Sequence, residues 1–263
     1  MLKKICIAGG CIVVVAGTLY ITESKENNIN KTNQSAVLLS NGSVDSNITV
    51  YDNSEMLSEY LISEMLIKTT VPVNYLDETK NLVTKDVFIK NINKIEVNKF
   101  AERSDKIIIS ALLNIDSDDF NFDSNKVVQI ICSLDNNILV IDAIDVRPIK
   151  DIKLKNESEE TSSIKFYESI EEIIFNKIIS NSNPRITYLI NSQSKISEQQ
   201  SIVNVSGKII DKYKRKNGND ILLAKINTAT DKNLYFEDRL VDIRYCANNK
   251  KLIILELDFS NYE

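Results

Sequence analysis

The stretch 128–143 reads VQIICSLDNNILVIDA, and 242–257 reads DIRYCANNKKLIILEL. Both place a Cys fifth, follow it with a polar turn, and then run apolar to an acid. Cys132 and Cys246 are 114 positions apart, and that spacing holds around them. It sets Ile107, Ile108 and Ile109 against Ile221, Leu222 and Leu223, Phe122 against Phe236, Val127 against Val241, and Ile138 against Leu252. Upstream, Pro72-x-x-Tyr75-Leu76 answers Pro184-x-x-x-Tyr188-Leu189. Before each landmark comes an i, i+4 apolar pattern: Met56, Tyr60, Leu61 and Met65, then Ile170, Ile174, Phe175 and Ile179. The order of blocks reads as a divergent tandem duplication.

Each copy is expected to be one helix followed by strands. The first copy offers 87–95, 106–115, 127–134 and 138–146, and the second 202–210, 220–228, 240–246 and 251–259. Asp135-Asn136-Asn137 and Asn248-Asn249-Lys250 are turn chemistry between β-branched runs, so each copy should end in an antiparallel hairpin. A helix before a meandering sheet buries its stripe on one face of that sheet. The expected class is therefore α+β: two tandem cones, each a curved antiparallel sheet around a helix. The boundaries are 50–149 and 164–263, joined by the acidic linker 150–163. Cys132 and Cys246, at matched positions, are expected to be buried beneath the helices.

The 263 residues are 43% hydrophobic and carry a net charge of −5, with a pI of about 5.1. Such a chain lacks the basic stripe that a nucleic-acid binder needs to displace counterions, so no direct nucleic-acid binding is expected. There is no His, which removes the commonest general base and metal ligand. One Cys per copy is not a disulfide framework.

The N-terminus, MLKKICIAGGCIVVVAGTLYITESKE, has Lys3 and Lys4 before an uncharged run to Ile21. As a helix rising ~1.5 Å per residue, that run would cover roughly 26 Å, one membrane crossing. The expectation is an anchor over 1–22 with a cytoplasmic N-terminus and the rest of the chain outside, on a polar tether over 23–49. A signal-peptidase site at Val15-Ala16-Gly17 and a lipoprotein signal at Ala8-Gly9-Gly10-Cys11 are the rival readings. The apolar run continues past the first and is too short before the second.

The candidate sites in the sequence each have a plainer account. Asp116, Asp118, Asp119 and Asp123 crowd one segment but miss the EF-hand spacing and its glycine. KYKRKNGND (212–220) is a basic cluster placed as a hairpin loop. Tyr75 and Tyr188 could serve as acid or base in a pocket between helix and sheet, or simply pack there. No residue is assigned a catalytic, cofactor-binding or metal-binding role.

The apolar second helix, the P-x-x-x-Y-L element, the pair IVNVSGKII and DILLAKINT, and the closing RLVDIRYCANNKKLIILEL follow an order that resembles the TcpC family of conjugative elements. Those proteins are Gram-positive counterparts of the VirB-type bitopic scaffold of type IV secretion. The resemblance implies tandem nuclear-transport-factor-2-like domains and a non-enzymatic scaffold in a conjugation channel. It also implies a homo-oligomer that meets other envelope proteins and the cell membrane. Its short cytoplasmic tail and the final LIILEL, without aromatics, depart from the family. The alternatives are another envelope assembly protein, of a sporulation channel or the cell wall, and an exported enzyme or ligand-binding protein.

Overall fold

A computed structural model of the chain describes residues 12–15, 18–21, 54–118, 120, 127–147, 164–180, 182–191, 193–214 and 220–262. The chain divides into two compact units, 1–40 and 41–263.

In the first unit, β1 (Ile12–Val15) pairs antiparallel with β2 (Thr18–Ile21). This corrects the expected membrane helix and the single-pass localisation built on it. No helix among the described residues is long and apolar enough to cross a membrane. IVVV and TLYI are rich in β-branched residues, which favour extended backbone, and only Ala16 and Gly17 separate them. The tether 23–49, the linker 150–163, Cys6 and Cys11 lie outside the described residues.

In the second unit, α1 (Ser54–Leu66) leads into the hairpin β3 (Thr69–Leu76) and β4 (Leu82–Ile89). Then come β5 (Asn91–Arg103), β6 (Lys106–Asp116), β7 (Val127–Asp135) and β8 (Ile138–Asp145). The second copy opens with β9 (Lys165–Tyr167). After it come α2 (Ile170–Ile173), a π-helical turn (Ile174–Ile179) and the hairpin β10 (Arg185–Asn191) and β11 (Ser194–Gln199). It closes with β12 (Ile202–Lys214), β13 (Asp220–Thr230), β14 (Tyr235–Asn248) and β15 (Lys251–Asp258).

These strands form one 13-stranded sheet in the order β12-β13-β14-β15-β8-β7-β6-β5-β9, with the two hairpins attached at β8 and β15. Strands make up 67% of the described residues and the helices are short, so this is a mostly antiparallel β fold. That replaces the expected α+β cones of the nuclear-transport-factor-2-like kind. The expectation failed because the first copy holds two more strands than were foreseen and the second three more, and because the copies join edge to edge.

The structural equivalence between copies is 113 positions, one less than the cysteine spacing. It relates the parallel pair Val73–Ile144 to Ile186–Leu257, and the antiparallel pair Ile130–Ile144 to Ile243–Leu257. In the helices it relates buried Leu57, Leu61, Ile62, Met65 and Leu66 to buried Ile170, Ile174, Phe175, Ile178 and Ile179. Met56, expected in the apolar stripe, is instead exposed. The turns at Asn136-Asn137 and Asn249-Lys250 have positive φ at both central residues, the two-residue hairpin turn expected there.

The copies meet at β8 and β15, where Leu139 lies opposite Leu252. These two residues are equivalent under the 113-residue offset, so the contact is isologous, as in a twofold dimer. The Ile141 N–H donates to the Lys250 carbonyl beside them at 2.8 Å. At the far end, β9 of the second copy pairs with β5 of the first, with Phe100 opposite Tyr167. One hydrophobic cluster runs through both copies and both helices.

Candidate functional site

One residue of phase separates the two cysteines. Cys132 is fully buried, and burial pushes its thiol pKa up. In β14 the buried face is Val241, Ile243 and Tyr245, so Cys246 lands on the other face, half-buried. Tyr245, not Cys246, is the structural counterpart of Cys132.

Tyr75 and Tyr188 are equivalent under the same offset, in β3 and β10, one in each copy. Each packs edge-on against a phenylalanine, Phe120 at 5.2 Å and Phe236 at 6.1 Å between ring centroids. They share no site. Asp118 pairs with Lys90, whereas Asp119 and Asp123 lie outside the described residues. So do residues 215–219 of the basic cluster. Lys212 from that cluster is buried over the Tyr60 ring.

Three polar clusters tie elements together. The acids that end β8 and β15, Asp145 and Asp258, are equivalent and buried. Each accepts a backbone N–H two residues on, from Arg147 and Ser260, both at 3.0 Å, and so closes its strand end in a turn. Glu64 of α1 accepts from Tyr60 and from Tyr245 of the other copy, with Lys212 near. Burial raises its pKa against those favourable contacts. Glu102 of β5 accepts from Tyr167 and from Lys177 at 2.7 Å, both of the second copy. Burial raises the Glu102 pKa, but these hydrogen bonds outweigh it and leave it below the ordinary value. Among the described residues no group of three or more His, Cys, Asp and Glu could hold a metal.

The strongest candidate site is a groove of about 490 Å³ between the two ends of the sheet. Phe166 of β9 borders one side, and Ser206 and Gly207 of β12 the other. The start of α2 supplies Glu168, Ser169, Glu171 and Glu172 on its lining, with Phe175 and Asn176 from the π-helical turn.

The sequence builds this corner locally. Ser169 caps α2, its Oγ accepting from the Glu172 N–H at 3.3 Å. The Glu172 carboxylate reaches back past the cap and accepts from the Glu168 N–H at 2.9 Å, which holds the chain where it enters the helix. Gly207 is required by the close approach of β13: a Cβ there would lie 2.5 Å from the Lys225 carbonyl oxygen.

The edge of β12 faces the groove. The Ile209 N–H donates to the Glu171 carboxylate at 2.5 Å, so it points away from β13. Backbone groups alternate along an antiparallel strand, which turns those of Val205 and Gly207 the same way. Among the described residues, β12 pairs on its β13 side alone. Burial raises the Glu171 pKa, and its bond to Ile209 and the Lys208 charge oppose that rise. The groove thus offers a strand edge, an exposed aromatic ring and a carboxylate rim.

The sequence reading missed these residues. The signal was present in KFYESIEE (165–172), where S-x-x-E marks a helix start and an exposed aromatic precedes it. The chain matches no known protein family, no curated protein and no solved structure.

Proposed function

We propose that the protein is a non-enzymatic scaffold that holds segments of other proteins in a multiprotein assembly and associates with copies of itself. The observation that carries this reading is the groove at the unpaired side of β12, because an open strand edge is a template for another chain. The outer hairpin strand β4 supports self-association, since it exposes Leu82 and Phe88. The narrower reading, a component of a conjugative transfer apparatus, rests on the order of sequence features that resembles the TcpC family. The rival reading as an enzyme using Tyr75 and Tyr188 finds less support, because the two rings pack against Phe120 and Phe236 in separate copies.

Sedimentation velocity of the full chain over a concentration series tests the scaffold reading. Reversible self-association, or co-sedimentation with proteins encoded beside it, is expected. A chain that stays monomeric with all of them, and that turns over a chromogenic ester or glycoside in a way lost with Tyr188→Phe, would contradict it.

A further inference from the structure

We propose that the groove between β9 and β12 binds an extended peptide segment bearing lysine or arginine, which adds to β12 as one more strand. The inference rests on the scaffold reading and gives its partner a chemistry.

Three observations converge. The first is the edge itself. β12 runs for 13 residues, and Gly207, on the groove's lining, turns its backbone groups to the side away from β13. Strand addition satisfies such groups through main-chain hydrogen bonds, while alternate side chains of the guest select for sequence. The second is the apolar surface. Phe166 is 54% exposed on the rim and Phe175 is buried behind it, so a guest side chain has a surface to cover. The third is charge. Glu168, Glu171 and Glu172 line the groove, and no Lys or Arg does. A carboxylate rim repels nucleic acid and acidic segments and favours a cation. The Phe166 ring already shows its affinity for one, since Lys99 Nζ lies 3.9 Å from its centroid.

Alternating charge and apolarity in the guest matches this surface. A strand on β12 would send one face of its side chains toward Phe166 and Phe175, with its cations among the carboxylates. The chain's own residues 44–51, VDSNITVY, carry an acid and no base, so they complement the rim poorly.

The test is fluorescence anisotropy of the full chain with a fluorescein-labelled peptide of alternating lysine and valine. Saturable binding is expected, weakened by salt because exposed charges contribute. Glu168→Lys should weaken it roughly five- to tenfold, since one attraction becomes a repulsion. Phe166→Ala should weaken it too. Both side chains are exposed, so the fold is expected to survive, and circular dichroism checks that it does. Methylating alternate backbone nitrogens of the peptide should abolish binding.

Equal binding of a glutamate–valine peptide, indifference to either substitution, or full binding by the methylated peptide would each overturn the proposal. So would a Thr49→Cys/Ser206→Cys disulfide formed within one chain, which would place the chain's own segment in the groove. Self-association in sedimentation without peptide binding would leave the scaffold reading standing and remove this inference. Peptide binding by a monomeric enzyme would do the reverse.

Discussion

Glu64 sits in the last turns of α1, where burial raises its carboxyl pKa above the ordinary value near 4.5 despite Tyr60, Lys212 and Tyr245 around it. Folding therefore favours its protonated form. Well below the ordinary value both states hold the proton and no stability difference arises. As pH rises through that value, the unfolded chain releases a proton that the folded chain keeps, and stability falls. Glu64→Gln removes this dependence. The variant should gain on the wild type as pH rises from about 4 to about 6, as read by urea unfolding at each pH. A constant gap would contradict the assignment. The cysteines give the second residue-scale prediction. Mass-spectrometric mapping after thiol labelling should find Cys246 modified in the native protein and Cys132 modified only on unfolding. Burial of Cys132 was legible from its apolar neighbours. The burial of Cys246 was misread, because matching the cysteines fixed a spacing one residue too long. In a strand that single residue exchanges the two faces.

At the scale of elements, β12 and α2 frame the groove, and each rests on one residue whose change should be costly. Gly207→Ala would bring a methyl group against the Lys225 carbonyl and the Ile226 side chain. Both belong to a paired strand that cannot shift freely, so the loss should be about 2 kcal/mol in denaturant unfolding. Ser169→Ala removes the α2 cap and should cost about 1 kcal/mol by the same measurement. The long strands β6, β7, β8, β13 and β15 were legible because apolar residues recur in them between clear turn residues. The hairpins β3–β4 and β10–β11 were not. Pro72 and Pro184 marked the repeat, and proline is uncommon inside a strand, yet Pro72 sits within β3 and Pro184 just before β10. The expected strand 87–95 in fact straddles β4 and β5, which break at Lys90. No local signal showed that β9 would join β5 of the other copy, since three residues carry almost no pattern. The groove stayed hidden for that reason: its two walls lie far apart in sequence, and only the sheet brings them together.

In the whole molecule, two copies of one motif fold as a single body, joined like the halves of a twofold dimer. Leu139 and Leu252 face each other at the join and are both fully buried, and one core continues through it. The duplication was legible in the order of apolar blocks. The join was not, because β8 and β15 read equally well as outer strands of separate domains. The membrane helix was misread for a related reason. An apolar run fixes burial but not backbone shape, and β-branched residues favoured a strand pair. A shared core makes each half dependent on the other. Hydrogen exchange followed by mass spectrometry across a urea series reads both copies in the same sample. Peptides from 106–116 and from 220–230 should lose protection at one urea concentration. Two separate midpoints, with one copy still protected after the other has opened, would show independent domains and contradict it.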